Sequence, residues 1–175
     1  TRLADQKGLD LLLPALDGLL RHHDVRVLGL GTGEHGLEEA CRALAARYPG
    51  KMGMHVGYAE GLAHRLEAGG DFFLMPSRFE PCGLNQMYSQ RYGTVPVVRA
   101  VGGLADTVVD LSVAGQGTGV VFSEYSGGAL WDALGRALGL FHAPGELAAV
   151  RRRGMAQDFS WERSARAYEW VYRGA

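Results

Sequence analysis

Isoleucine is absent from this 175-residue chain, asparagine occurs once, at Asn85, and lysine occurs only at Lys7 and Lys51. Arginine supplies the other basic residues, and 18 basic against 19 acidic side chains give a formal net charge of −1. That balance excludes the basic footprint of a nucleic-acid partner and the acidic bias of a solvating tail. Scarce lysine is also not the Lys/Glu enrichment of hyperthermophiles, and a codon bias accounts for it. Two cysteines, Cys41 and Cys82, cannot build a disulfide framework, so a reducing, cytoplasmic setting is expected. No apolar run reaches the ~20 residues a membrane-spanning helix needs, and a soluble chain with no membrane partner is expected. No signal peptide is recognisable and position 1 is Thr1, which reads as a piece of something longer.

Glycine is abundant instead. Its 26 occurrences are about twice the usual ~7%, which implies tight turns and backbone that approaches a ligand closely. Hydrophobic periodicity predicts a helix over 8–21, carried by Leu9, Leu12, Leu13, Leu16 and Leu20, and further helices over 36–48, 62–68, 84–92, 127–141, 146–157 and 161–172. Strands are predicted at 25–30, 51–56, 71–75, 95–98 and 119–122. The alternation defines an α/β fold with a Rossmann-like parallel sheet flanked by helices, whose ligands sit beyond the carboxyl ends of the strands. The run Arg151-Arg152-Arg153 reads as a solvated helix face.

Four segments invite a chemical reading. Gly31-Thr32-Gly33-Glu34-His35-Gly36 matches G-x-G-x-x-G, but His55-Val56-Gly57 stands where a dinucleotide site wants a ribose-binding carboxylate. It reads as a tight strand-to-helix turn. Met75-Pro76-Ser77-Arg78-Phe79-Glu80-Pro81-Cys82-Gly83 leaves a buried strand and enters a helix. Glu80 therefore lies at a strand's carboxyl end, beside the free amides of Gly83, Leu84 and Asn85, a setting that binds anions. The spacing equally admits Glu80 as an ordinary loop carboxylate. Cys82 could be a nucleophile, but nothing fixes a histidine near it, and a small buried cysteine is the plainer reading. Arg2 and Lys7 flank the first helix's start, where the dipole has no use for positive charge; a bound polyanion or solvated surface charge explains them equally. The histidines at 22, 23, 35, 55, 64 and 142 form no ligand spacing, and no metal or cofactor is expected.

Taken together, these segments resemble the bacterial glycogen synthase and plant starch synthase family of retaining, two-domain glucosyltransferases. The matching stretches are R-L-A-D-Q-K-G-L-D (Arg2 to Asp10), P-S-R-F-E-P-C-G-L-N-Q (Pro76 to Gln86), Y-G-T-V-P-V from Tyr92, G-G-L-A-D-T-V (Gly102 to Val108) and F-S-W (Phe159 to Trp161). The resemblance implies the carboxyl-terminal domain of the GT-B type, with residues 1–160 as the nucleotide-sugar-binding domain and 161–175 as a helix crossing back to a missing amino-terminal domain. It also implies that the first strand is truncated. ADP-glucose is the implied donor and an α-1,4-glucan the acceptor. Arg2 and Lys7 would then pair with the donor diphosphate and Glu80 would be the essential carboxylate. Amides around Cys82 and Gly83 would hold sugar hydroxyls, Leu84 and Asn85 would face phosphate, Tyr58 would stack on adenine, and Gly102 and Gly103 would let backbone approach the sugar. Two departures stand out: Tyr88 occupies the place of a second Glu found in related transferases, and Asn85 sits where relatives vary. UDP-glucose as donor, or a binding module without catalysis, are the alternatives.

Overall fold

The computed structural model describes residues 1–174; Ala175, the end of the segment expected to cross back, lies outside the described residues. Strands and helices alternate as β1 (Arg2–Leu3), a 3₁₀ turn (Asp5–Lys7), α1 (Leu9–His22), β2 (Val27–Gly33), α2 (His35–Arg47), β3 (Met52–Val56), α3 (Glu60–Gly69), β4 (Phe72–Met75), α4 (Asn85–Tyr92), β5 (Val95–Arg99), α5 (Gly102–Thr107), β6 (Val120–Phe122), α6 (Gly127–Phe141), α7 (Pro144–Met155) and α8 (Trp161–Gly174). Every ladder is parallel. Two three-stranded sheets result, ordered β1-β2-β3 and β4-β5-β6. Laid edge to edge they read 3-2-1-4-5-6, the doubly wound order whose binding crevice lies between strands 1 and 4.

The expected single sheet is thus divided: β1 pairs with β2 from Arg2↔Thr32 to Leu3↔Gly33, and among the described residues no ladder joins it to β4. The halves are drawn together instead by close backbone packing. Gly8 adopts φ +72°, and a Cβ there would lie 2.1 Å from the Pro76 carbonyl oxygen at the end of β4. Two residues away on each segment, the Arg78 amide donates to the Gln6 carbonyl at 2.9 Å. Helix α1 lies under both halves. Ala15 packs with Val97, Val120, Phe122 and Leu134, while Leu16, Leu19 and Leu20 pack with Leu44, Val27 and Met52. On the opposite face of β4–β6, Met75 and Val98 meet Leu104 and Val108. Val98, Leu104, Val120 and Leu130 are fully enclosed, each burial contributing about 1.5–3 kcal/mol.

Several local expectations change. Gly31, Thr32 and Gly33, read as a turn, belong to β2, because β1 must lie against them: a Cβ on Gly31 or Gly33 would strike the carbonyls of Thr1 or Leu3. Helix α5 was not anticipated, since its paired glycines disguise a helix start. The sheet is also not covered on both faces throughout, as Leu28 on β2 is exposed. Of the three arginines read as solvated, only Arg152 is exposed. Arg151 pairs with Asp71 at 2.5 Å, and Arg153 donates to the Gly117 carbonyl at 2.8 Å. Helix α8 buries none of its residues, yet Trp161, Ala165, Tyr168 and Tyr172 recur at the spacing of one helical face.

The loop from α5 to β6 is tied by Asp110. Its carboxylate receives Arg136 Nη2 at 2.6 Å and the amides of Ser112 and Val121 at 2.9 and 2.6 Å. Burial alone would raise this carboxyl, but Arg136 and the two amides outweigh it and bring it from 3.8 down to about 2. A depressed carboxyl stabilises the fold above its unfolded pKa and ceases to do so as pH falls through the folded value. Asp110→Asn is therefore expected to lower the melting temperature at neutral pH by a deficit of about 2 kcal/mol. Thermal melts across pH should find that deficit closing between about pH 4 and pH 2.

Candidate active site

The crevice between β1 and β4 is lined by two strand-to-helix loops, and it brings together two of the residues singled out from sequence. Lys7, on the 3₁₀ turn after β1, points its Nζ at Glu80 Oε2 at 2.5 Å, although the two are 73 positions apart. The Glu80 side chain is 8% exposed and that of Lys7 21%, so the pair is largely removed from water. The Ser77 hydroxyl, itself buried, donates to the same Glu80 oxygen at 3.2 Å. Arg2 joins this group through Gln6: Arg2 Nη2 donates to Gln6 Oε1 at 2.8 Å, and Gln6 Nε2 donates to the Phe79 carbonyl at 3.1 Å. Ser77 and Gln6 were visible in the matching motifs, but no charge or spacing marked them.

The Glu80 loop is braced from behind. The Gly103 amide donates to the Glu80 carbonyl at 3.0 Å. A Cβ on Gly102 would sit 2.2 Å from the Glu80 carbonyl oxygen, and one on Gly103 would sit 1.9 Å from that of Cys82. The close approach these glycines allow is therefore to the loop backbone. Gln86, fully buried, donates from Nε2 to the carbonyls of Cys82 and Gly83 and to Thr107 Oγ1, at 3.0 to 3.2 Å. Gly83 turns at φ +72° into α4, whose start at Leu84 has no side-chain cap. The Leu84 carbonyl takes the amides of Met87 and Tyr88, so the first-turn amides of Asn85 and Gln86 are the ones left without an intrahelical acceptor.

Other candidates lie elsewhere. Asn85 turns its side chain away, donating to Glu67 Oε1 at 2.8 Å; burial pushes the Glu67 carboxyl up. Tyr58 is 85% exposed on the β3–α3 loop, with its hydroxyl 3.5 Å from Glu60. Tyr88, at the second-Glu position, lies beside His64. Cys82 is exposed, which corrects its reading as a buried cysteine; the buried one is Cys41. The G-x-G-x-x-G stretch is filled from within, since Glu38 accepts the Gly33 amide at 2.9 Å and the Thr32 hydroxyl at 2.8 Å. Those two donors hold the Glu38 carboxyl below its usual range. Among the described residues no helix is long and apolar enough to cross a membrane.

A doubly wound parallel fold with cation, carboxylate and helix start at its switch point has the architecture of the carboxyl-terminal domain of GT-B glycosyltransferases. The chain belongs to the family Glycosyl transferases group 1, which matches residues 1–140. It is 56% identical to a glycogen synthase of Thioalkalivibrio sulfidiphilus, over 98% of this chain and 36% of that protein. It is also 56% identical to a glycogen synthase of Myxococcus xanthus, over 98% of this chain and 35% of that protein. The catalytic domain of starch synthase IV from Arabidopsis thaliana, solved bound to ADP and acarbose, superposes with a TM-score of 0.88 at 32% identity, over 99% of this chain and 36% of that one. The chain thus spans about a third of the length of the glycogen synthases it matches, as their carboxyl-terminal part.

Proposed function

We propose that this chain is the donor-binding part of a cytoplasmic glycogen synthase, which transfers glucose from ADP-glucose to the non-reducing end of an α-1,4-glucan with retention of configuration. The observation that carries the reading is the Lys7–Glu80 pair at the strand-order switch point, in a chain 56% identical to glycogen synthases. The ligands of the Arabidopsis starch synthase, ADP and acarbose, are of the nucleotide and glucan classes this reading needs.

In the free site Lys7 and Glu80 neutralise each other. A donor diphosphate offers Lys7 and Arg2 a stronger anionic partner, and as the bond to ADP breaks, fixed cations stabilise the charge that builds on the leaving group. The uncapped start of α4 adds its amides to the same task. Glu80, released from Lys7 but still bonded to Ser77, then supplies negative charge beside a sugar that becomes oxocarbenium-like. Tyr58 serves the adenine and the Cys82–Gly83 backbone the sugar hydroxyls. The stripe on α8 packs against the remainder of the enzyme, where the acceptor is held, so residues 1–175 alone bind ADP without transferring glucose.

Calorimetric titration of the intact enzyme with ADP-glucose and with UDP-glucose, followed by assays of glucose incorporation into glycogen, tests this. Tighter binding and faster transfer with ADP-glucose are expected. Preference for UDP-glucose reassigns the donor, and absence of transfer from either nucleotide sugar overturns the proposal.

A further inference from the structure

Arg78 lies two residues before Glu80, yet its side chain faces away from the Lys7–Glu80 pair. Its Nε lies 3.1 Å from Asp5 Oδ2 and its Nη2 2.8 Å from Asp10 Oδ2. The same guanidinium stacks over the Tyr125 ring, 4.4 Å from its centroid, and the Tyr125 hydroxyl donates to Asp10 Oδ1 at 2.5 Å. Arg99 approaches the same ring at 5.2 Å and donates to the Arg78 carbonyl at 2.7 Å. Two further bonds complete the seam, the Arg78 amide donating to the Gln6 carbonyl and the Gln6 side-chain amide donating to the Phe79 carbonyl. Segments following β1, β4 and β6, and the end of β5, therefore converge on one arginine.

The Arg78, Asp5 and Asp10 side chains are all at least 40% exposed, where ion pairs contribute little to stability. Their geometric effect is larger, because Lys7 sits between Asp5 and Asp10 in sequence and Glu80 follows Arg78 by two. We propose that Arg78 is a positioning residue for the transfer reaction: clamped by Asp5, Asp10 and Tyr125, it fixes the Glu80 segment to the Lys7 segment. This rests on the glucosyl-transfer reading above. Only a planar, forked cation can make two ion pairs and stack on a ring at once, so lysine is not an equivalent.

The test uses the intact enzyme, ADP-glucose and glycogen, with Arg78→Ala, Arg78→Lys, Tyr125→Phe and Arg78→Ala combined with Glu80→Gln. Displacing a reacting group by about an ångström costs up to ~10²-fold. Arg78→Ala is therefore expected to lower kcat by about 10- to 100-fold, with KM for ADP-glucose changed less than about 3-fold and little change in melting temperature. Arg78→Lys should not restore kcat, and Tyr125→Phe, which keeps the stacked ring and loses one bond, should give a smaller loss in the same direction. Because Arg78 acts through Glu80, its removal should cost less than about 2-fold further in the Glu80→Gln background. A wild-type kcat in Arg78→Ala, full rescue by lysine, or a full additive loss in the double variant would overturn the inference. If Arg78→Ala is normal while Glu80→Gln is inactive, this inference alone falls. A fully active Glu80→Gln enzyme removes both this inference and the catalytic reading of Glu80.

Discussion

Glu80→Gln is expected to collapse turnover by about 10²- to 10³-fold, the scale for removing one preorganised electrostatic stabiliser. Affinity for the donor should change only a few-fold. The substitution keeps the side chain's size and leaves an oxygen for the Ser77 hydroxyl, which donates to Glu80 at 3.2 Å, while deleting the negative charge. A transition state carrying positive character on the sugar loses more from that deletion than a neutral ground state does, so the loss falls on kcat. If Glu80 served only to anchor its loop, the pattern would invert, with a lower melting temperature and turnover within a few-fold of wild type. Cys82→Ser is the internal control. Cys82 is exposed and two residues away, and its thiol should be dispensable. Steady-state kinetics and thermal melts on the two variants separate catalysis, loop anchoring and thiol chemistry.

Lys7→Ala is expected to lower turnover by at least about 10²-fold and to weaken ADP. Unlike the glutamine variant, it should also cost stability. Glu80 is 7% exposed, and removing Lys7 strips this carboxylate of its ion-pair partner, leaving Ser77 as its one side-chain donor among the described residues. An inadequately paired buried acceptor costs about 1–3 kcal/mol. Lys7→Ala/Glu80→Gln should recover much of that stability without recovering activity, because the neutral amide no longer needs a cation. Calorimetric melts of the four proteins in this cycle test the stability claim, and ADP titration tests the binding claim. Unchanged ADP affinity in Lys7→Ala would leave Lys7 only as the ion-pair partner of Glu80.

The helices and strands were legible because their apolar residues repeat with the right period. Leu9, Leu16 and Leu20 face the core from α1, and Val95 to Val98 form a fully buried strand. Periodicity was silent where packing sets the conformation. Nothing local to Arg2 and Leu3 specifies a strand; they are extended because β2 offers Thr32 and Gly33 as partners. Likewise, the paired glycines of α5 look like a turn until the Glu80–Cys82 backbone is seen pressing on them. At the candidate site, charge type and position marked three residues as worth weighing, Glu80 at a strand's carboxyl end and Arg2 and Lys7 flanking a helix start. That Lys7 and Glu80 touch could not be read, since their contact depends on the order of strands across the crevice. Arg78 escaped notice for the same reason: its partners come from distant segments, Asp5 and Asp10 on one side and Tyr125 on the other.

The division of the sheet has a consequence in time. Lys7 leaves the ribosome 73 residues ahead of Glu80, and it waits on the turn that follows the two-residue strand paired with β2. Glu80 follows β4, whose ladder among the described residues is with β5, and the other side of α1 is packed by α6. Closing such long loops costs entropy before any contact rewards it. The first half of the chain can therefore pair its strands as it is made, but the cleft is assembled only after β5 and α6 have arrived. A nascent chain stopped short of β5 already carries both the cation and the carboxylate, and lacks the floor on which they meet.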